Sequence, residues 1–173
     1  MITIVPATVH DSNLLARIGS RSLLESHGHS APAPIMQSYL NEKFTITALE
    51  KELADCQNIF HIIYYNNQPA GYSKIICHQP LADVPQKNIT KMERLYLLQE
   101  YYNLKLGRQL LQFNVNLSRQ KGEAGMWLYV WKENERALRF YTKAGFQIVG
   151  DGYFRLTDDH ANPNWQMYLP YEG

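Results

Sequence analysis

Residues 126–146 read MWLYVWKENERALRFYTKAGF, and their pattern decides the class of fold. The first six are apolar or aromatic without period-two alternation, the pattern of a strand covered on both faces. From Glu133 to Ala144 the spacing turns helical. Ala137, Phe140, Tyr141 and Ala144 share one face, and Gly145 supplies the left-handed residue that ends a helix. Taken alone, this is a core-packing helix with a good stop. Upstream lies a matching pair, a strand over Lys91–Leu98 and a helix over Leu106–Lys121, with Leu106, Leu110, Phe113 and Leu117 at helical spacing. Two strands joined through such a helix must run parallel, linked by a right-handed crossover.

Outward from this βαβα unit the signals become antiparallel. NIFHIIYYNNQPAGYSKIIC (residues 58–77) holds two β-rich runs around Asn66-Asn67-Gln68, a hairpin pattern. Ile2 and Ile4 alternate with Thr3 and Val5 in a first strand that ends at Pro6. Asp11 or Ser12 opens a helix through about residue 26, with Leu14, Leu15, Ile18 and Leu23 on its apolar face. A second helix is expected around Ile35–Lys43. Thr47 with Glu50 is a capping-box pattern for a third, towards Leu53. Residues 78–89 carry two prolines and read as loop. The tail, Phe146 to Leu169, predicts two or three antiparallel strands turning at Gly150–Gly152 and Asp158–Pro163. No repeat or linker interrupts the chain, so one α/β domain over residues 1–173, with a mixed sheet, is expected.

At 45% hydrophobic and 19% charged, the chain is neither disordered nor membrane-embedded in composition. No apolar run approaches the roughly 20 residues that span a bilayer. The start, MITIVPATVHDSN, lacks the basic-then-apolar form of a signal peptide, so a cytoplasmic location is expected. A formal net charge of +1 makes no electrostatic case for nucleic acid. Cys56 and Cys77 suit neither a metal knuckle nor a redox pair and read as reduced, buried thiols. His27-Gly28-His29 lacks the i, i+4 spacing of a paired zinc site; it reads as a polar loop, and no metal is expected.

Residues 100–111, EYYNLKLGRQLL, fill the turn between the first strand of the βαβα unit and its helix. A helix N-terminus presents uncommitted N–H groups and the positive end of the helix dipole, a natural cradle for phosphate. Such loops usually carry at least two glycines. Here there is Gly107, with Lys105 two residues before it. A glycine is required only where φ is positive or phosphate approaches Cα closely. With negative φ, Lys105 keeps its N–H and can turn its ammonium to phosphate. With positive φ it costs roughly 1 kcal/mol or more. Either way, binding weakened by about tenfold, not abolished, is expected. A plain helix start without phosphate is the alternative.

Asn134, Ala137, Phe140, Tyr141, Lys143, Gly145 and Phe146 match, at every specified position, Asn-x-x-Ala-x-x-Phe-Tyr-x-Lys-x-Gly-Phe. That pattern resembles the second conserved motif of the GNAT superfamily of acyl-CoA-dependent N-acetyltransferases. Glu93-Arg94-Leu95-Tyr96-Leu97 is similar to the superfamily strand that precedes the phosphate loop. The loop departs from Gln/Arg-x-x-Gly-x-Gly/Ala: Tyr102 and Lys105 replace its first two signature residues, while Gly107 fits the last. Residues 38–53, the hairpin and residues 127–146 look like the PaiA-like branch, bacterial enzymes that acetylate spermidine and spermine. The likeness runs from roughly residue 20 to 169.

The resemblance implies a GNAT fold, mostly antiparallel, with a central parallel strand pair that splays to admit acetyl-CoA. It implies pantetheine along Leu95, Tyr96 and Leu97, and phosphates over Asn103, Leu104, Lys105, Leu106, Gly107 and Arg108. On the motif helix it implies contacts from Ala137, Phe140, Tyr141 and Lys143; Asn134 either joins them or caps its own helix. The implied reaction is direct attack of an amine on the thioester, with the Leu97 N–H facing the oxyanion. An alkylammonium titrates near 10.4 and must shed a proton first, so Glu93 is the candidate base, through water. Tyr141 is the candidate acid for the departing thiolate. Glu25 and Tyr39, in the helices that usually cover the acceptor groove, are candidate substrate contacts. The partner implied is a small-molecule amine, possible polyamines included, with neither nucleic acid nor membrane; a homodimer is compatible. Two alternatives stay open: a protein lysine or N-terminal amine acetyltransferase, and a non-catalytic acyl-CoA-binding regulatory module.

Overall fold

The computed structural model describes residues 1–172. Along the chain it runs β1 (Ile2–Pro6), α1 (Ser12–His27), α2 (Ala33–Lys43), α3 (Ile46–Ala54), β2 (Asn58–Tyr65), β3 (Gln68–Ile76) and β4 (Thr90–Leu97). There follow α4 (Leu106–Gln120), β5 (Gly125–Trp131), α5 (Glu135–Lys143), β6 (Gln147–Thr157) and β7 (His160–Pro170). The strands bond in the order β1-β2-β3-β4-β5-β7-β6, a seven-stranded, mostly antiparallel sheet with β4 and β5 parallel. This is the mixed sheet, with its parallel pair, that the sequence predicts. No helix among the described residues is long and apolar enough to cross a membrane. The contacts divide the chain into two compact units, residues 1–75 with 94–113, and residues 76–93 with 114–172.

In the first unit β1 lies antiparallel to β2, from Ile2 against Tyr65 to Pro6 against His61. The β2–β3 turn places Asn66 and Asn67 at φ 49° and 67°, the double left-handed geometry whose twist suits a two-residue hairpin. Asparagine reaches that region more easily than other non-glycine residues. Leu15, Ile18 and Leu23 of α1 are buried as expected, while Leu14 stays half-buried. The cap of α3 differs from expectation. Thr45, not Thr47, is extended and accepts the Ala48 N–H at 3.1 Å. Both threonines precede the apolar run, and only the backbone conformation separates them. Leu106 and Leu110 of α4 pack with Ile63 and Ala70, with Leu95 and Leu97 at the edge of the cluster.

In the second unit the run 126–131 is buried except for Tyr129, as its unbroken apolar pattern predicts. β5 pairs antiparallel with β7 along its full length. Residues 78–89 do form a loop, yet Leu81 and Val84 from it close over Trp127 and Tyr168. Gly150 and Gly152 make no turn. β6 runs straight through them, with a register shift between Ile148 and Gly150, and Asp158-Asp159 alone turn the chain back into β7. The glycines serve close approach: a Cβ at Gly152 would meet the Tyr129 ring at 2.4 Å. Pro163 likewise falls inside β7.

Two further expectations fail. Cys56 is exposed and Cys77 half-buried, so these free thiols are not core residues; Cys56 sits in the short connection between α3 and β2, where little covers it. And no residue of α5 is buried, although its apolar residues share a face. The helix is not a core helix; it keeps an apolar face partly open.

Candidate active site

The parallel ladder between β4 and β5 is short. Thr90 pairs with Met126 and Lys91 with Trp127, and the pairing does not continue through Met92 or Glu93. Glu93 is half-buried, its Oε2 3.8 Å from Lys91 Nζ. Lys91 in turn lies 5.3 Å from both the Trp127 and Tyr129 rings. This cation beside the carboxylate had no sequence signal beyond period-two spacing on one strand.

In the first unit, Leu95 and Leu97 are half-buried against the α4 cluster. The Tyr96 side chain is occupied by rings, 5.4 Å from Tyr72 and 6.0 Å from Phe44, so its ligand contact would be through backbone. Leu98 N–H is held by the Ala70 carbonyl at 2.9 Å, and the Leu97 carbonyl accepts Ser22 Oγ at 3.3 Å. The end of β4 is therefore fixed from two sides.

The backbone of the loop before α4 resolves the alternative left by Lys105. Its φ is 62°, and Asn103 stands at 70°. The first glycine position is thus left-handed, occupied by a lysine that pays the steric cost of that region. Gly107 lies inside the first turn of α4 and is not left-handed. Leu106 is fully buried, while Asn103, Leu104, Lys105 and Arg108 are exposed. The Lys105 carbonyl takes its helical bond from Gln109 at 3.2 Å. The N–H groups of Leu106, Gly107 and Arg108 precede it, so helix geometry gives them no partner within α4. An exposed helix start with two basic side chains and free N–H groups fits a pyrophosphate.

On α5, Asn134 Oδ1 accepts the Ala137 N–H at 3.2 Å, so it does cap its own helix. Tyr141 is half-buried, its ring 5.1 Å from Phe140 and 5.5 Å from the buried Phe146. Ala137 and Phe140 are half-buried and Lys143 is exposed. Gly145, at φ 103°, ends the turn that follows the helix, as its position predicts.

The acceptor-side candidates separate. Tyr39 is buried against Phe44 at 6.0 Å. Glu25 lines a groove on α1, with Oε1 accepting the Gln99 N–H at 3.0 Å and Oε2 3.4 Å from Arg21 Nε. A buried ionic cluster lies beyond Phe44. Glu52 takes Lys74 Nζ at 2.5 Å and Arg94 Nη2 at 3.0 Å. Arg94 Nη1 is also 3.0 Å from the carboxylate but too far off line to make a hydrogen bond. Burial works to lower the Arg94 pKa, yet Tyr72, Tyr96 and Glu52 together raise it. Burial drives the Tyr72 hydroxyl upward in pKa, and although Arg94 is near, that hydroxyl has no hydrogen bond of sound geometry. Members this distant in sequence gave no motif to find.

The chain belongs to the acetyltransferase (GNAT) family, whose profile matches residues 22–146. It is accordingly an N-acetyltransferase that uses acetyl-CoA as cosubstrate. An uncharacterised N-acetyltransferase of Lactobacillus delbrueckii subsp. lactis is 25% identical over 158 residues, 91% of each chain. A spermidine N(1)-acetyltransferase of Thermoplasma acidophilum is 25% identical over 147 residues, 85% of this chain and 89% of that one. The crystal structure of the PaiA N-acetyltransferase of Thermoplasma acidophilum, in complex with coenzyme A, matches 99% of each chain with a TM-score of 0.78 at 22% identity.

Proposed function

We propose that residues 1–173 act as one N-acetyltransferase domain that acetylates a primary amine of a small molecule by direct attack. The observation that carries this reading is the two-pair ladder of β4 and β5, which stops before Glu93. The end of the strand beyond that point suits an amide-bearing pantetheine arm along Leu95–Leu97. The loop from Asn103 to Arg108 takes the phosphates, and Ala137, Phe140 and Lys143 line the cofactor from α5, whose apolar face is only partly covered.

In the reaction the acceptor ammonium passes a proton through water to Glu93. The amine lone pair then bonds to the thioester carbonyl carbon, and the Leu97 N–H faces the oxyanion. The C–S bond breaks, and the thiolate takes the phenolic proton of Tyr141. The second nitrogen proton restores Tyr141, so the products are amide, thiol and one released proton. Lys91 Nζ stands 3.8 Å from that carboxylate.

The Thermoplasma relative's name puts polyamines first among the amines to try. Acetyl-CoA turnover with spermidine, simple alkylamines, a lysine peptide and no acceptor, beside direct CoA binding, tests the proposal. Glu93→Gln should lower turnover about 10²-fold or more near neutral pH and recover as pH rises. Tyr141→Phe should lower turnover and leave CoA binding intact. Saturable CoA binding without turnover on any amine would overturn the catalytic reading.

A further inference from the structure

The groove on α1 is open to solvent, about 630 Å³ in volume, and lined by Arg17, Ser20, Arg21, Leu24, Glu25 and Phe44, among others. It is anchored to the end of β4, the strand given above to the pantetheine. Gln99 N–H binds Glu25, Ser22 Oγ binds the Leu97 carbonyl, and the Phe44 ring stands 6.0 Å from Tyr96. An acceptor amine held in this groove would lie beside that strand.

Its charges are unevenly spent. Both oxygens of Glu25 are engaged, one by a backbone N–H and one by Arg21. Arg21 also binds Glu100 at 2.8 Å. Arg17 is exposed and has no ion-pair partner among the described residues. Behind the Phe44 ring, 5.1 Å from its centre, sits Arg94, paired with Glu52. Arg17 is thus the one charged side chain of the groove lining without an ion-pair partner among the described residues. A polyamine would bring several more cations to a groove whose carboxylate is taken. A guanidinium fork instead matches a carboxylate, and Leu24 and Phe44 offer apolar surface for the chain between.

We propose that this groove binds the acceptor and selects an amine that also carries a carboxylate, held by Arg17, over a polycation. The reaction rests on the acetyl-transfer reading; the binding does not. A matched set tests it: ε-aminocaproate, hexamethylenediamine, spermidine and hexylamine, each measured for kcat/KM and, separately, for binding to the CoA-loaded protein by calorimetry. Wild type should favour ε-aminocaproate over hexamethylenediamine by about tenfold or more in both readouts, about 1.4 kcal/mol, with the difference shrinking at high salt. Arg17→Glu, at an exposed position without partners, should reverse the order, chiefly through KM. A wild-type preference for the diamine or spermidine, or the same order in Arg17→Glu, overturns the proposal. No turnover on any amine with the binding preference intact overturns acetyl transfer and leaves the groove standing. Turnover without preference does the opposite.

Discussion

Lys105 offers a sharp test, because strain and charge there can be separated. At φ 62° it occupies a region that costs an L residue roughly 1–2 kcal/mol. Replacing it with glycine removes that cost but returns roughly 0.5–1 kcal/mol through the freer unfolded chain. Lys105→Gly should therefore stabilise the protein by about 0.5–1 kcal/mol, or about 1–4 °C in Tm for a chain this long. Lys105→Ala keeps the left-handed strain and should leave stability unchanged within about 0.5 kcal/mol. Lys105→Asn should fall between them, since asparagine tolerates this region. CoA affinity, read by calorimetry, reports the other half. If the ammonium meets phosphate, glycine and alanine should weaken CoA by the same few-fold factor at low salt and by less at high salt. Urea unfolding of the three variants is the deciding assay. Equal stability of Lys105→Gly and Lys105→Ala would refute a left-handed Lys105 in solution, and with it the account of this loop.

Three other perturbations follow from packing and charge. Glu52→Gln removes the carboxylate that takes both buried cations, Lys74 and Arg94, so a loss of about 3–5 kcal/mol in urea unfolding is expected; Lys74→Met in the same chain should recover part of it, and additive losses would refute the coupling. Gly71→Ala would set a Cβ 2.1 Å from the Tyr96 carbonyl oxygen, a backbone atom unable to swing away. It should cost about 3 kcal/mol and lower turnover, since the shifted segment adjoins Leu97; wild-type stability would contradict the spacing. His27 has its pKa lowered from 6.5 to about 4, first by burial and then by His29, and burial lowers His61 as well. The unfolded chain therefore binds more protons between those values, so stability is full above about pH 6.5 and falls as acid approaches 4, by about 2 kcal/mol at pH 5 from His27 alone. His27→Gln should flatten that slope in denaturation curves taken at several pH values.

What the sequence disclosed and what it hid follow from the range of the interactions involved. The run 126–131 and the spacing of α4 identified the parallel pair, because burial on both faces and a helical stripe are local properties. The Asn66-Asn67 turn was equally plain, its geometry set by two adjacent residues. The third helix cap was misplaced because Thr45 and Thr47 are chemically equal, and only chain direction chose between them. Gly150 and Gly152 looked like a turn, whereas Gly152 makes room for Tyr129, more than twenty residues away. The sign of φ at Lys105 could not be read from its identity. Nothing local signalled Lys91 beside two rings of β5, nor the sharing of Glu52 by two buried cations.

The attachment of α1 to the end of β4 gives that distant packing a consequence for chemistry. Ser22 fixes the Leu97 carbonyl and Glu25 fixes the Gln99 N–H. The residue whose N–H is proposed to face the oxyanion is therefore held, through the peptide group that follows it, by the same helix that presents Arg17. Direct attack needs the amine and the thioester within about 3–3.5 Å in the right alignment, and misplacement of about 1 Å can cost roughly 10²-fold. A helix bonded to the cofactor strand lets the acceptor's grip and the thioester's position share one frame. Ser22→Ala should then lower kcat more than it changes KM for CoA or for amine, because it loosens the frame without touching either ligand. A change confined to KM would place Ser22 in binding instead, and the shared frame would have to be abandoned.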